Sequence, residues 1–477
     1  MFLCNCNVNV QGSVMIRIPD DLLSKIIRKA LSTGGDYADV FVERRMPLSI
    51  HLEDDRMEKL VSGMDAGIGV RVIFGDRTAY AYTNDFSEDS LMDIAGTAGR
   101  AVKEGKEKDA VFDLRKLRPR VDFRIKNYPP GVEIGKKISL VEDANRAAKG
   151  VSARVRQVSV IYSDSVQNVC IATSDGTIAE EERVYTLALV QVIAAEGDVL
   201  QTGYEPVGGL SGFELFDEHP LDDIAARTAR RAVEMLKAPK APGGRMPVVI
   251  SAEAGGTMIH EAVGHGLEAD LAQQGLSVYS NKLGQRIASP LITIVDDPTL
   301  PNKRGSFRFD DEGVPSQRTV LVEKGILKAY MHDRLTAMRE GVSSTGNGRR
   351  QSYKHRPIPR MSNTFIAPGD GDPEKILRSV EKGFFVKKMG GGQVNTVTGE
   401  FVFDVSEGYM IEKGRIGGPV RGATLIGNGP EVLRSIDMVG NDIGFAIGTC
   451  GKDGQGVPVS DAMPTVRITE MVVGGEV

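Results

Sequence analysis

A segment rich in proline and glycine divides the sequence into two halves of different character. The segment is KAPKAPGGRMP, residues 237–247, and it has neither the period of a helix nor that of a strand. The chain has 477 residues, enough for roughly two to four domains of ~100–200 residues. We therefore predict a linker over 237–247, an N-terminal domain over 15–236 and a C-terminal domain over 248–477.

The first half has the patterns of an α/β domain. Apolar residues repeat at helical spacing or follow helix-start signals in four segments, at about 20–33, 88–102, 133–149 and 220–236. Segments such as YADVFVERR and RVYTLALVQVIAAEGDVL alternate in polarity, as half-buried antiparallel strands do. Two further strands are predicted in succession over 153–175, in ARVRQVSVIYSDS and VQNVCIATSD. A hairpin is predicted to turn at Gly75 and Asp76. These patterns predict an antiparallel sheet packed against helices.

The second half predicts a different architecture. One strand, PVVISAEA, leads into a helix that carries His260, and most of the rest is short strands joined by glycine-rich loops. One further helix is predicted at 373–382. The fold class is therefore α+β, with an N-terminal α/β domain and a C-terminal, mostly antiparallel β domain that carries one metal-binding helix.

Charge and cysteine content narrow the classes of function. The net charge is −5, which argues against a nucleic-acid-binding surface, and no apolar run reaches the ~18 residues of a membrane span. Residues 1–14 match no signal peptide, and we predict a loose tail there. Two of the four cysteines, Cys4 and Cys6, lie in that tail, so we expect no disulfide framework and a cytoplasmic location.

The stretch TMIHEAVGHGLEAD, residues 257–270, holds His260, Glu261 and His265 in a chain with six histidines. On a regular α-helix, residues five apart point about 140° from each other and lie ~7.5 Å apart along the axis. Two imidazoles placed in this way do not share an ion at ~2.0–2.1 Å from each nitrogen. The two histidines are therefore either core residues or ligands on an irregular helix.

Two irregular geometries would bring the histidines together. A π-bulge adds one residue to a turn and aligns position i with position i+5. Alternatively, the helix ends at Gly264 and His265 approaches from irregular backbone. Gly264 and Gly266 flank His265, and glycine in a helix interior costs ~1 kcal/mol relative to alanine, so the sequence favours one of these two geometries.

Two histidines leave a catalytic zinc site one protein ligand short. The candidates for the third ligand are His332, His355, Glu268, Asp270 and Cys450. Cys450 is the favoured one, because a glycine-rich turn, IGTCGKDGQG, can bring a thiolate to a metal at ~2.3 Å.

Glu261 and a basic loop are the other candidate functional features. A glutamate that follows the first ligand can take a proton from metal-activated water, although a lone helical glutamate is more often a surface residue. The loop TGNGRRQSYKHRPIPR offers Arg350, Tyr353 and His355 as candidates for substrate binding, either to a peptide carboxylate or to a carbonyl oxygen. A solvated basic loop is the alternative reading of the same segment.

Several long segments resemble the TldD branch of the TldD/PmbA (TldD/TldE) family. They are HEAVGHGLEAD, TGNGRRQSYKHRPIPRMSNTF, GGGQVNTVTGEFVFDVSEGY, RGATLIGNGPEVL, MVGNDIGF and GTCGKDGQGVPV. The resemblance runs from about Ile18 to the C-terminus and is dense after residue 245. Members of this family are metallopeptidases that have also been called modulators of DNA gyrase.

The resemblance implies roles for four residues. The family's HExxxH motif falls on His260, Glu261 and His265, and its late cysteine ligand falls on Cys450. It implies one Zn²⁺ per chain, Glu261 as general base, and peptides or unfolded protein segments as substrates. It also implies a dimer, either a homodimer or a heterodimer with a PmbA/TldE-like subunit. The PmbA/TldE branch lacks the histidine motif that is complete here, so the resemblance implies that this chain is the catalytic subunit.

Three functions compete. The first is a zinc-dependent peptidase, for which no nucleic acid and no membrane is expected as a partner. The second is a non-catalytic or modulating subunit of a protein complex, such as a partner of a topoisomerase. The third is a metal-dependent amidase that acts on small molecules. The complete histidine and glutamate set favours the first.

Overall fold

The fold is described from a computed structural model, which covers residues 16–102 and 113–475. The tail predicted at 1–14 lies outside these residues. Within the described ranges, no helix is long and apolar enough to cross a membrane.

In its described residues, 16–102 and 113–236, the first half contains eight strands and five helices. The strands are β1 (Tyr37–Glu53), β2 (Arg56–Ser62), β3 (Asp65–Phe74), β4 (Arg77–Thr83), β5 (Arg115–Lys116), β6 (Val155–Thr173), β7 (Thr177–Glu196) and β8 (Val199–Leu210). The helices are α1 (Asp20–Leu31), α2 (Glu88–Arg100), α3 (Ile134–Lys149), α4 (Leu215–Glu218) and α5 (Leu221–Met235).

These strands form one long sheet. Its order is β4-β3-β1-β6-β7-β5, with β2 added to β1 and β8 added to β7, and every pair except β5 with β7 is antiparallel. The polarity pattern of 153–175 predicts two strands, but β6 is a single strand of 19 residues. Its pairing with β1 is unbroken from Asp39 to Glu53, and apolar residues dominate the even-numbered face of both strands at each end.

One face of this sheet is covered by helices and the other by the C-terminal half. Even-numbered residues of β1 and β6 face α1 and α2 at one end and α3 and α5 at the other. On the opposite face, Phe41 and Ile171 pack against Phe309 and Tyr353. Successive side chains of a strand point to opposite faces of the sheet, so this one sheet packs against the helices on one face and against the C-terminal half on the other.

Up to residue 475, where the described part of the chain ends, the second half contains fifteen strands. They are β9 (Gly244–Ile250), β10 (Ile294–Asp296), β11 (Thr319–Glu323), β12 (Ile326–Leu327), β13 (Gly348–Arg349), β14 (Ile358–Pro359), β15 (Asn363–Ile366), β16 (Lys382–Val394), β17 (Glu400–Glu412), β18 (Arg415–Val420), β19 (Thr424–Asn428), β20 (Ile436–Val439), β21 (Gly444–Lys452), β22 (Gln455–Met463) and β23 (Val466–Gly474). Its helices are short: α6 (Thr257–Ile259), α7 (Ala269–Gln273), α8 (Arg334–Glu340), α9 (Pro373–Arg378) and α10 (Gly429–Ser435).

Two sheets dominate this half. In the first, β16, β9, β23, β19 and β17 pair in that order, and β17 pairs again with β16, so the ring of pairings closes on itself. The second runs β12-β11-β10-β15-β22-β21 and ends at β21. Most pairs are antiparallel, which confirms the α+β class. The apolar core between these sheets also holds Met258, Ile259 and Val263 of the histidine segment.

Some element boundaries differ from those predicted. β9 begins at Gly244, so the regular structure of the second half starts inside the stretch predicted as a linker. The helix predicted at 373–382 ends at Arg378, because Lys382 already belongs to β16. The predicted turn at Gly75 and Asp76 does join β3 to β4.

Buried ion pairs join the two halves. Arg71 pairs with Asp39 at 2.5 Å within the first sheet and with Glu312 of the second half at 2.7 Å. Arg183 pairs with Asp311 across the same junction at 2.7 Å. All of these side chains are buried, so the two halves are held together by matched charge as well as by apolar contact.

Candidate metal centre

The backbone after α6 takes a π-helical turn over His260–Gly264. The N–H of His265 donates to the carbonyl of His260, which is the bond between residues five apart that defines such a turn. A short 3₁₀ turn, His265–Leu267, follows. Of the two geometries expected for this stretch, the π-bulge is the one observed.

The π turn places the two imidazoles side by side. Their ring centroids are 5.0 Å apart and the rings are perpendicular. The Sγ atom of Cys450, near the end of β21, lies 3.6 Å from Nε2 of His265. The three candidate ligand atoms all lie within 4.8 Å of one another. Elements separated by nearly 200 residues thus meet at one point.

The glycines beside His265 serve close packing. A Cβ atom on Gly264 would collide with the thioether of Met361, and one on Gly266 would lie 2.7 Å from the ring of Tyr279. The hydroxyl of Tyr279 donates to the carbonyl of Ala262 at 3.0 Å. Carbonyls that lose their usual α-helical partner in a π turn need such substitutes. The turn is therefore fixed by its surroundings.

A carboxylate lies close to the Nδ1 atom of each histidine. Oε2 of Glu268 lies 3.1 Å from Nδ1 of His265, and Lys452 lies 3.0 Å from the same carboxylate oxygen. Oδ2 of Asp461 lies 3.7 Å from Nδ1 of His260, and the other oxygen of Asp461 accepts the N–H of Gly256 at 3.2 Å. This arrangement leaves the Nε2 atoms to face Cys450, as expected of metal-ligating histidines.

The charges of the centre stabilise a thiolate. Burial raises the pKa of Cys450, but hydrogen bonds with His260 and His265 outweigh it and lower that pKa to about 5. Cys170, which lies in the first sheet, shows the contrast, because burial raises its pKa to about 12. Burial lowers the pKa of His265, but Glu268 and Cys450 raise it well above its usual range.

The donor set fits a zinc ion. Zn–N bonds of ~2.0–2.1 Å and Zn–S bonds of ~2.3 Å at a tetrahedral angle separate sulfur from nitrogen by about 3.6 Å. That is the observed distance from Cys450 Sγ to His265 Nε2. Cys450 and His260 are buried, and one ligand atom from each of His260, His265 and Cys450 lies within 4.8 Å of the others. The residues therefore fit two nitrogen ligands and one thiolate ligand.

The other candidates for the third ligand lie elsewhere. His332 is 3.5 Å from Glu340, Nδ1 of His355 is 3.0 Å from the hydroxyl of Ser352, and Asp270 binds Lys452. Glu268 contacts His265 instead of joining the ligand atoms. In the described part of the chain, only His260, His265 and Cys450 form a cluster suited to a metal.

Glu261 directly follows the first histidine and is partly exposed, whereas His260 is buried. Its negative charge contributes to raising the pKa of Asp461, which reaches about 6 chiefly through burial. Glu261 therefore lies close to the group that supports His260. A carboxylate in this position is suited to accept a proton beside a metal ligand.

The basic loop lies mainly at the junction of the two halves. The guanidinium of Arg350 is buried and donates to the carbonyl of Asp311 at 2.7 Å, and it lies 3.4 Å from Asp39. The hydroxyl of Tyr353 donates to Asp65 at 3.1 Å. His355 is half-buried beside Ser352. These contacts favour structural roles for Arg350 and Tyr353, and a substrate role for His355 stays a prediction.

Sequence reasoning missed Asp461 and Lys452, and it named Glu268 only as a possible direct ligand. Asp461 lies in β22 and Lys452 at the end of β21, both nearly 200 residues after the histidines. Neither residue lies at a sequence distance from the histidines that is typical of a metal-binding motif. The pairing of β21 with β22 is what brings both into place.

Sequence models of the PmbA/TldA metallopeptidases match three parts of the chain. Domain 1 matches residues 38–103, the central domain matches 127–236, and the C-terminal domain matches 243–475. The first two share the single long sheet described above. Together the three matches cover most of the chain.

Relatives named as metalloproteases match over nearly the whole length. The metalloprotease TldD homologue of Haemophilus influenzae is 40% identical, over 92% of this chain and 93% of that protein. A metalloprotease of Methanocaldococcus jannaschii is 37% identical, over 92% and 97%. The zinc metalloprotease TldD homologue of Saccharolobus solfataricus is 29% identical, over 95% and 100%.

Solved structures share the fold. A Thermotoga maritima protein described as a candidate modulator of a DNA gyrase superposes with a TM-score of 0.79 at 22% identity, covering 95% of this chain and 100% of that one. TldE from Thermococcus kodakarensis gives 0.73 at 18% identity, covering 95% and 100%. With the sequence matches, these findings lead to one conclusion: the chain belongs to the PmbA/TldD metallopeptidase family.

Proposed function

We propose that this chain hydrolyses peptides or unfolded polypeptide segments, with a zinc ion held by His260, His265 and Cys450 and with Glu261 as general base. One observation carries the proposal. The π turn brings two histidines five residues apart to one thiolate, with a glutamate beside the first of them. A zinc ion in such a site supplies Lewis acidity, which polarises a carbonyl and lowers the pKa of water from ~15.7 towards ~7.

Each residue of the centre has a defined task. Glu261 accepts the proton of the attacking water and returns it to the leaving amine. Glu268 orients the ring of His265 through a contact at Nδ1, and the charge of Asp461, 3.7 Å from Nδ1 of His260, favours the orientation that leaves Nε2 of His260 for a metal. Cys450 contributes a thiolate, a ligand that donates more charge than a third histidine would, so we expect modest turnover.

The test compares the wild type with Glu261→Gln, using an unfolded casein as substrate and measuring metal content in parallel. We expect hydrolysis by the wild type and a loss of at least about 100-fold in the variant, since general-base catalysis contributes ~10²–10⁴-fold. The metal content should be unchanged, because Glu261 is not a ligand. Glu374→Gln, at an exposed position of α9, is the matched control and should retain full activity.

The alternatives give different results. Turnover of small amides without turnover of peptides would establish the amidase instead. Protein that holds its metal yet cuts neither substrate, with or without a PmbA/TldE-like subunit, would establish a non-catalytic role. Absence of bound metal in the wild type would contradict the ligand assignment itself.

We also propose that the chain works as a dimer, either with itself or with a PmbA/TldE-like subunit. Support comes from the family, since a TldE structure shares this fold. Sedimentation of the purified chain, alone and mixed with such a subunit, tests the proposal. A chain that stays monomeric in both experiments would contradict it.

A further inference from the structure

A polar cavity of about 170 Å³ lies where the first sheet meets the second half. Strands β1, β6 and β7 form one side, and β21 and β22 form the other with the segment 349–351. One of its lining residues is Thr449, which directly precedes Cys450 in β21. The cavity is therefore distinct from the metal centre but adjoins the strand that carries a candidate ligand.

Five arginines line this cavity, and two of them are neutralised by carboxylates. Arg183 pairs with Glu181 at 2.9 Å and with Asp311 at 2.7 Å. Arg350 lies 3.4 Å from Asp39. These two belong to the ion pairs that join the halves of the molecule.

The other three arginines have no such partner. Arg45 donates to the hydroxyl of Ser165 at 3.0 Å, whereas Arg304 and Arg349 donate to backbone carbonyls at 2.6–3.2 Å. Across residues 16–102 and 113–475, no carboxylate oxygen lies within 4.0 Å of the side-chain nitrogens of any of the three. The three guanidinium groups thus converge without an ion pair of their own, although Asp311, which also lines the cavity, acts on Arg349 and Glu43 acts on Arg45.

The charges influence one another. Burial lowers the pKa of Arg304, and the positive charges of Arg45 and Arg349 lower it further. Burial also lowers the pKa of Arg349, whose side chain is only 3% exposed. Burying positive charge without an ion pair is unfavourable. A bound anion would offset both the cost of removing these charges from water and their mutual repulsion.

We propose that this cavity is a binding site for a small oxyanion, a carboxylate or a phosphate-type group, held by Arg45, Arg304 and Arg349. Guanidinium groups present paired donors that match the oxygens of such groups. The hydroxyls of Ser163 and Thr449 add neutral donors at the wall. A water occupies ~30 Å³ of liquid, so the cavity has room for an anion of this size.

The anion has two possible sources, a carboxylate of a bound peptide or a free inorganic oxyanion. Both use the same arginines. Binding is measured directly, with radiolabelled sulfate in equilibrium dialysis against the full-length, metal-loaded chain at constant ionic strength set by chloride. We expect saturable binding at one site per chain.

Arg304→Gln should weaken sulfate binding about tenfold or more, since a charged hydrogen bond contributes enough for a factor of ten. Arg304→Lys keeps the charge and should recover part of the affinity. Arg45→Gln, at an exposed residue, should weaken binding without disturbing the fold. Arg415→Gln removes the same charge from an exposed site in β18 and should bind sulfate as the wild type does.

Two peptides of one sequence, with a free C-terminal carboxylate or a C-terminal amide, distinguish the sources in competition with sulfate. Displacement by the acid alone assigns the site to a peptide carboxylate. Displacement by neither peptide assigns it to a free oxyanion. Absence of saturable sulfate binding, or equal binding by the wild type, Arg304→Gln and Arg45→Gln, would overturn the proposal. Because sulfate binding needs no hydrolysis, this result is separable from a failure of the proposed peptidase activity.

Discussion

At the scale of single residues, the metal centre depends on one extra residue in a turn. His260 and His265 would diverge on a regular helix, and the bond from the N–H of His265 to the carbonyl of His260 brings them together. Close packing against Gly264 and Gly266, which leaves no room for a Cβ atom at either position, then fixes the turn. The geometry is thus encoded by the packing of neighbours and not by the histidines alone.

Gly264→Ala tests this packing. The backbone of Gly264 is helical, so alanine is conformationally allowed, but its Cβ would collide with Met361. We expect a loss of about 1–3 kcal/mol in the free energy of unfolding, from overpacking, together with reduced zinc content. Gly135→Ala in α3, where a Cβ meets nothing within 4 Å, should cause neither. Equal behaviour of the two variants, measured by urea unfolding and metal analysis, would refute the packing argument.

The thiol of Cys450 should be ionised at neutral pH in metal-depleted protein. Its pKa is lowered to about 5, so its alkylation by iodoacetamide should rise with pH around 5 and be level by pH 7. Cys170, with a pKa raised to about 12, should stay unreactive over that range. Peptide mass spectrometry separates the two sites. Added zinc should protect Cys450, and an unchanged labelling rate with zinc would argue against its role as a ligand.

Glu268 and Asp461, the carboxylates beside His265 and His260, should contribute to the affinity of the site for its metal. Loss of such supporting groups typically lowers metal affinity ~10–100-fold. We expect this range for Glu268→Gln and for Asp461→Asn, measured by competition with a chelating dye. Glu323→Gln, at an exposed end of β11, serves as control. Wild-type affinity in both carboxylate variants would show that the rings are oriented by packing alone.

At the scale of elements, one carboxylate organises the loop between β5 and α3. Glu214 accepts the backbone N–H groups of Lys126 and Asn127 at 3.1 and 2.7 Å, and that of Gly212 at 3.1 Å. Burial raises the pKa of Glu214, but these backbone donors outweigh it and lower that pKa. The loop is thus tied to the turn before α4.

Glu214→Gln should therefore destabilise the protein in a pH-dependent way. The folded-state pKa lies below the unfolded one, so the stabilisation is present above pH ~4.5 and is lost as the pH falls below it. We expect a loss of about 1–3 kcal/mol at pH 7 and a smaller difference near pH 3. Denaturant midpoints at several pH values measure this. The control is Glu218→Gln at an exposed position of α4, and a pH-independent difference would contradict the assignment.

At the scale of the whole molecule, the two halves share a buried set of charges. Arg183 joins Glu181 of the first sheet to Asp311 of the second half. Removing one partner of a buried pair leaves the others uncompensated, which costs about 3–5 kcal/mol. We expect a loss of that size for Arg183→Met in denaturant unfolding. Arg146→Met, which breaks an exposed pair with Asp143, should cost at most about 0.5 kcal/mol. Equal losses would show that the junction does not depend on this pair.

The sequence predicts local features well and long-range partners poorly. Helices α1, α3 and α5 follow their apolar spacing, and the π turn is one of two geometries expected from a five-residue interval. The two strands predicted over 153–175 form the single strand β6 because β1 pairs along its length. A local polarity pattern does not predict this long-range neighbour. Asp461 and Arg304 gain their surroundings from the pairing of β22 and from the docking of the two halves, so neither stands out in the sequence.

The two-faced sheet has a consequence for synthesis on the ribosome. Strands β1 to β8 and their helices leave the ribosome first, with one face covered and the face around Phe41 still open to water. That open face also carries Asp39 and Arg71, which stay hydrated until Glu312 arrives. The second layer can close over this face only when translation is nearly complete, because β21 and β22 are among the last strands. The metal centre therefore cannot be complete until Cys450, about 190 residues after His260, has left the ribosome.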